Sequence, residues 1–308
     1  MTYPPEKKFR RLLQKLNSFL HLFNYFFANS HRFVYLCSIN QSIYGIIMKK
    51  FFITLAVICS WMTAFGWGQK GHDVVAFIAE QHLTPTTRAA VDSILDGRSM
   101  VYWANWLDNA SHTPEYAYTK TWHYKNVNAD ETYLTALANP SGDAVTAIKA
   151  QLELLNSGEA SKQQALLAMK ILVHVVGDLH MPLHMGHASD LGGNRIKVKF
   201  FGRDKNLHSV WDTDLVEAAH KWSHSEWQYQ LDRLAPAAQQ KVVEGNVDDW
   251  AQETIRIADV VYKSTPEGTN LSYNEVAKWA PVIEKQLLSG GLRLAYLLNQ
   301  TFDPAYGK

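Results

Sequence analysis

The stretch LVHVVGDLHMPLH, Leu172 to His184, decides how this chain folds. His174 and Asp178 stand four residues apart, so on a helix their side chains share one face; His184 follows six residues later, beyond Pro182. Their surroundings are apolar: Leu166, Leu167, Met169, Ile171, Leu172, Val173, Val175 and Val176. Burying an imidazole and a carboxylate there is costly unless something offsets the lost hydration. A divalent metal does so, and two histidines with an aspartate form a donor set that zinc takes. A core histidine bonded to a neighbouring carboxylate would also account for the first pair. The second pair, His208 and Asp212 in NLHSVWD, is again four apart among apolar residues and tips the balance toward metal.

The chain has 308 residues, 47% of them hydrophobic, and ten tryptophans, enough for one sizeable core without a Pro/Gly/Ser linker to divide it. Its formal charge of +1 conceals an asymmetry, because residues 1–66 hold eight Lys/Arg and one acidic residue. Residues 67–308 therefore carry 22 basic and 28 acidic residues, a net of −6. That excludes a basic nucleic-acid coat. If such a chain handles a phosphodiester, bound cations must supply most of the local positive potential. Both cysteines, Cys37 and Cys59, precede residue 67, so disulfides have no part in the remainder.

Met48 opens MKKFFITLAVICSWMTAFG, with two lysines, an apolar stretch from Phe51 to Met62, and small residues Ala64 and Gly66 at a cleavage site. Residues 48–66 read as a secretory signal peptide, which implies a secreted or periplasmic protein with no membrane contact after cleavage. Residues 1–47 fit neither a signal nor a folded unit and read as an upstream extension. Cleavage after Gly66 would make Trp67 the amino terminus, whose α-amine and carbonyl can chelate a metal.

From Trp67 the pattern is helical. GHDVVAFIAEQHL carries an apolar face through Val74, Val75, Ile78 and Ala79, and Thr84-Pro85 marks the start of a helix through Ile94. One short tryptophan-rich helix is expected over Met100 to Ala110, a loop over 111–142, and helices over 143–156 and 161–181. NRIKVKFF, Asn194 to Phe201, alternates up to Gly202 and predicts half of a small hairpin. Asn206 should cap the helix of His208 and Asp212. The rest is amphipathic helix. The fold class is mainly α, a single-domain helical bundle with one small β-hairpin over 67–308.

Three further candidates, His72, Asp108 in NWLDN and His123 in TWHYKN, complete a constellation with Trp67, His174, Asp178, His184, His208 and Asp212. Together these suffice for three metals. In WGQKGH, WLD, WHY, LVHVVGDLHMPLH, GGN, NLHSVWD, WAQET and GLRLAYLLN, the chain resembles the zinc-dependent single-strand nucleases of the fungal S-one and P-one type, which include mung bean nuclease and the plant bifunctional nucleases. Order and spacing both match from Trp67 to about Asn299.

The resemblance implies three Zn²⁺ ions. Asp108, His123, His174 and Asp178 would bind one; Asp178 would bridge to a second, held by His72 and the main chain of Trp67; His184, His208 and Asp212 would bind the third. It also implies the bundle shared with zinc-dependent phospholipase C. The activity implied is endonucleolytic hydrolysis of single-stranded DNA and RNA by a zinc-bridging hydroxide, with Asp108 and Asp178 in the catalytic group and 5′-phosphate products. A 3′-nucleotidase activity goes with it, and no stable protein partner. Tyr124 and Leu191 would sandwich a base beside Asn194 of the GGN turn. Asn126 stands where fungal members have a base-contacting carboxylate, and Ser111 where they have a phosphate-assisting arginine, for which Arg195 or Lys197 are the substitutes in reach. His180 is assigned a supporting place and no ligand role.

Two other readings compete. A zinc-dependent phospholipase C usually ends the third-metal pair in glutamate, whereas His208 pairs with Asp212, and no lipid-docking segment stands out. A non-catalytic secreted zinc-binding protein would close a structural site with four ligands and has no need of three adjacent metals.

Overall fold

His174 and Asp178 lie on the buried half of one helix, and the remaining elements bring other chemistry to the face they share. The computed structural model describes residues 67–307; the segments 1–47 and 48–66 lie outside the described residues. Gln69–Gln81 form α1, whose Val74, Val75, Ile78 and Ala79 are buried as their spacing predicts. Pro85–Ile94 form α2, capped by the Thr84 hydroxyl, which accepts the Thr87 N–H at 3.2 Å. Such a cap is worth about 1 kcal/mol.

The tryptophan-rich segment is two short helices, α3 (Met100–Trp103) and α4 (Trp106–Ala110), and not the single one expected. The break has a cause. The Ala104 carbonyl accepts the Nδ1–H of His174 at 2.7 Å, and the Asn105 side chain donates to Asp73 at 2.7 Å. Between residues 111 and 142 the chain makes a 3₁₀ helix, Ala117–His123. Then come α5 (Ala144–Asn156) and α6 (Lys162–Leu179), each opened by a capping box, Asp143 with Thr146 and Ser161 with Gln164. Every residue of α6 from Ile171 to Leu179 is buried.

A 3₁₀ turn at Pro182–Met185 follows α6, and a second at Ala188–Asp190 leads toward the strands. The hairpin exists, β1 (Lys197–Phe200) antiparallel to β2 (Arg203–Asn206). A two-residue β3, Asn270–Leu271, adds to β1 in parallel, so the sheet has three strands in the order β2-β1-β3. Asn206 caps α7 (Leu207–Ser209), accepting the Ser209 N–H at 2.7 Å. The helix then widens to a π-helical turn over Val210–Asp214 before α8 (Leu215–Ala219). The chain closes with α9 (His224–Leu231), α10 (Pro236–Val242), α11 (Val247–Ser264) and α12 (Tyr273–Phe302). Residues 67–307 thus form a mainly helical domain. α12 lies close against α1 because Gly291 has no Cβ to collide with Ile78.

Candidate metal centre

Eight side chains from five parts of the sequence converge here, all buried. α6 supplies His174 and Asp178 from one face. The chain turns sharply after it, and the 3₁₀ turn at Pro182–Met185 brings His184 back, its N–H bonded to the Met181 carbonyl at 3.0 Å. α1 contributes His72, α4 contributes Asp108, and His123 ends the Ala117–His123 helix. His208 sits on α7 and Asp212 on the π-helical turn. Gly177, one residue before Asp178, leaves the space His72 occupies, since a Cβ there would lie 2.8 Å from His72 Nδ1.

Three groups form: His72, His174 and Asp178; Asp108, His123 and His174; His184, His208 and Asp212. Ligands about 2.1 Å from a tetrahedral zinc stand about 3.4 Å from one another. The measured separations match that spacing. His72 Nε2 is 3.4 Å from Asp178 Oδ1, and His174 Nε2 is 3.3 Å from Asp108 Oδ1 and 3.2 Å from Asp178 Oδ2. His123 Nδ1 lies 3.0 Å from Asp178 Oδ2 and 3.8 Å from Asp108 Oδ1. His72 Nε2, Asp108 Oδ1, Asp178 Oδ1 and Asp212 Oδ1 are buried without a hydrogen bond of acceptable geometry. Lone pairs that face one another unbonded are what a cation between them satisfies, so the residues present fit a metal cluster.

Backbone carbonyls set the histidine tautomers. His174 Nδ1–H donates to Ala104, His184 Nδ1–H to the His123 carbonyl, and His208 Nδ1–H to Gly192 at 2.6 Å. In each ring Nε2 is left as the donor atom for a metal. Electrostatics within the group are strong. Burial opposes the charge on His174, but Asp178 and Asp108 outweigh it and hold its pKa well above the usual imidazole range. Asp178 is held well below the carboxylate range, burial being outweighed by His174 and His184. Burial, reinforced by Asp178 and Asp108, pushes Asp212 well above its ordinary value.

Trp67 is fully buried, and the N–H of the next residue, Gly68, donates to the Asp212 carbonyl at 2.8 Å. The start of the domain is thereby tied to the segment that carries Asp212. Among the residues assigned to substrate, Tyr124, Asn126 and Asn194 are half-buried, while Leu191 is 48% exposed in a left-handed backbone conformation. Asn194 Nδ2–H bonds the Leu191 carbonyl at 2.8 Å. Lys125 N–H to His184 O (2.8 Å) and Val127 N–H to Gly186 O (2.9 Å) lash the Tyr124–Asn126 strip to the segment leading into that loop. Ser111 is buried with its hydroxyl on the Asp108 carbonyl, and the Arg195 guanidinium is turned to the Ser189 carbonyl at 3.1 Å.

Some supporting residues escape sequence reasoning. Lys125 is buried, its ammonium on the Leu137 carbonyl (2.7 Å) and near Asp143 (3.6 Å). Tyr262 of α11 accepts the His187 N–H and donates to Asp190, whose same oxygen accepts the Gly193 N–H. His180 is expected in a supporting place, but its partners are not: it donates from Nδ1 to Val176 O and accepts from Arg293 at 3.0 Å; burial, with Arg293 beside it, lowers its pKa to about 3, so it is a neutral strut. No periodicity announces these contacts, because their partners lie up to 113 residues away.

Comparison with known proteins decides the identity of this arrangement. The S1/P1 nuclease family description matches residues 67–303. The chain belongs to the S1/P1 nuclease family. It is 28% identical to endonuclease 2 of Arabidopsis thaliana over 293 residues, covering 82% of this chain and 98% of that one. It is 29% identical to nuclease S1 of Aspergillus oryzae over 278 residues, 80% and 96% of the two chains. Nuclease P1 of Penicillium citrinum matches at 31% over 157 residues, 48% of this chain and 57% of that one. As an S1/P1 nuclease the protein is a hydrolase, and its three His/Asp groups are arranged so that each could hold a metal ion.

Proposed function

We propose that the protein is an exported trinuclear-zinc phosphodiesterase that cuts single-stranded DNA and RNA internally, leaving 5′-phosphates, and that it also removes 3′-phosphates from nucleotides. The observation that carries this reading is the sharing of His174 between two of three adjacent His/Asp groups, which fits a metal cluster and not an isolated structural ion. Asp108, His123, His174 and Asp178 would hold one zinc, with Asp178 shared by a second held by His72 and the main chain of Trp67. His184, His208 and Asp212 would hold the third. When bound, such ions supply a water nucleophile near neutral pH and neutralise charge on the phosphate and the departing oxygen.

The chain's own residues do the rest. Asp178, buried and ionised, faces both groups that share α6 and places negative charge between them. The carbonyls of Ala104, His123 and Gly192 orient His174, His184 and His208. Tyr124 and Leu191 would hold a base between them, a mode that tolerates any base and requires it out of the duplex. The chain offers no arginine at Ser111, so charge at the phosphate falls to the metals. Export rests on residues 48–66, and cleavage before Trp67 would create the amine ligand.

The test is hydrolysis of single-stranded DNA by the exported, zinc-loaded protein, with the product ends identified. Cleavage to 5′-phosphates that stops on chelation is expected. Bound zinc without cleavage of any single strand would overturn the reading.

A further inference from the structure

Asp108 and His123 keep 7% of their surface, against 4% or less for the other six candidate metal side chains. The segments that carry these two, α3–α4 and the Ala117–His123 helix with its preceding residue Tyr116, also carry six aromatic side chains in an almost unbroken line. Tyr102 meets Trp103 edge-on at 4.8 Å, Trp106 meets Tyr116 at 4.9 Å, and Tyr116 leads through Tyr118 (6.5 Å) to Trp122 (5.3 Å). The gap between Trp103 and Trp106 is bridged by a cation. Lys170 Nζ lies 3.8 Å from the first ring centre and 4.6 Å from the second.

Lys170 precedes His174 by one helical turn, on the face of α6 that carries His174 and Asp178. The line therefore begins one turn from the metal ligands. A cluster serving only to pack would be covered, yet Tyr102 is 57% and Tyr118 50% exposed. Trp103, Trp106, Tyr116 and Trp122 are half-buried, so each anchors the line in the domain while keeping part of its ring at the surface. The line's charge is opposite to that of the domain. Arg98 stacks on Tyr102 and Lys170 on the two indoles, in a region 67–308 whose net charge is −6.

We propose that the line from Tyr102 to Trp122, with Lys170 and Arg98, is a second stacking platform that holds nucleotides of a single strand beyond the one being cut. Exposed rings offer sequence-tolerant faces to bases, and cations set among them meet the phosphates between those bases. The platform rests on the nuclease reading above and extends it, making the enzyme favour long strands over short ones.

The experiment compares zinc-loaded proteins on an oligothymidylate of about ten nucleotides and on a thymidine dinucleotide, reading the ratio of the two kcat/KM values. Replacing both exposed rings, Tyr102→Ala with Tyr118→Ala, should lower that ratio by about tenfold or more. Tyr102→Leu with Tyr118→Leu, which keeps apolar bulk without a ring, should lower it as well. Lys170→Gln should reduce the salt dependence of oligomer binding by about 0.7 of a logarithmic unit per logarithmic unit of salt. Leu137→Ala, an exposed apolar side chain off the line, should leave the ratio alone. An unchanged ratio in both tyrosine pairs overturns the platform, as does an equal loss on oligomer and dinucleotide. A wild-type protein that cuts neither substrate overturns the nuclease reading and the platform with it.

Discussion

The candidate metal ligands and the residues assigned to substrate belong to one domain but are held in opposite ways. The eight candidate metal side chains are all buried, and backbone carbonyls set the tautomers of three of their imidazoles, His174, His184 and His208. The four assigned to substrate are half-buried or exposed, and Leu191 projects from a turn held by its flanks. A hydrolytic cluster must position donor atoms to within a fraction of an ångström, and a rigid buried helix does that. Base recognition by stacking needs only a face of the right size, which a loop provides. Reaction chemistry should therefore be brittle to mutation and substrate choice adjustable.

The largest effect should come from Asp178→Asn. An amide matches the carboxylate in shape but replaces one acceptor oxygen with an N–H₂ and removes the charge shared by two groups. Loss of turnover with loss of about two metals per chain is expected, measured by hydrolysis and elemental analysis. Near wild-type activity would break the contrast at its strongest point.

Removing the metal should reverse the protein's response to pH. In the chelated protein His174 titrates above its unfolded value, so it stabilises the fold fully below about pH 6.5, and that contribution is lost as pH rises through the raised folded value. The metal-loaded protein needs neutral imidazoles and releases its ions in acid. Thermal unfolding should thus show the chelated form losing stability from neutral to mildly alkaline pH while the zinc form holds. Parallel pH curves for the two forms would show that the buried cluster does not bind metal through His174.

Tyr262→Phe tests the hinge between the two regions. Its hydroxyl links His187 and Asp190 at the base of the Leu191 loop, and the Gly192 carbonyl of that loop orients His208. Losing one hydroxyl should cost about 1 kcal/mol of stability. It should raise KM several-fold with a smaller change in kcat, and the metal at His184, His208 and Asp212 should leave first under chelator titration. A change confined to kcat would mean that the loop is not the connection.

The same contrast explains what could be read from the sequence. His174 with Asp178, and His208 with Asp212, are legible because four-residue spacing is a property of the chain itself. The Thr84 and Asn206 caps are legible for the same reason, each acting within three residues. The break between α3 and α4 is not, since it is set by His174 claiming a carbonyl seventy residues away. Nor is β3, whose two residues have no periodicity, or the His180–Arg293 strut. His72, Asp108 and His123 stand between these cases. Each is silent alone, and only the family pattern joined them before the structure brought them together.

The smallest effect should come at Asn126, and it discriminates most finely. Asn126 follows the buried Lys125, whose N–H is fixed to His184, so its backbone is anchored while its side chain stays half open. An asparagine amide can both donate and accept, so it can meet the polar edge of more than one base. Asn126→Asp leaves acceptors only and should favour bases that present donors, guanine above all. The expected outcome is a shift of a few-fold in relative kcat/KM among homopolymeric single strands, with zinc content and kcat on the best substrate unchanged. A uniform fall on every strand would place Asn126 with the brittle residues around the metals, and the division between a rigid chemical core and an adjustable substrate rim would have to be redrawn one residue further out.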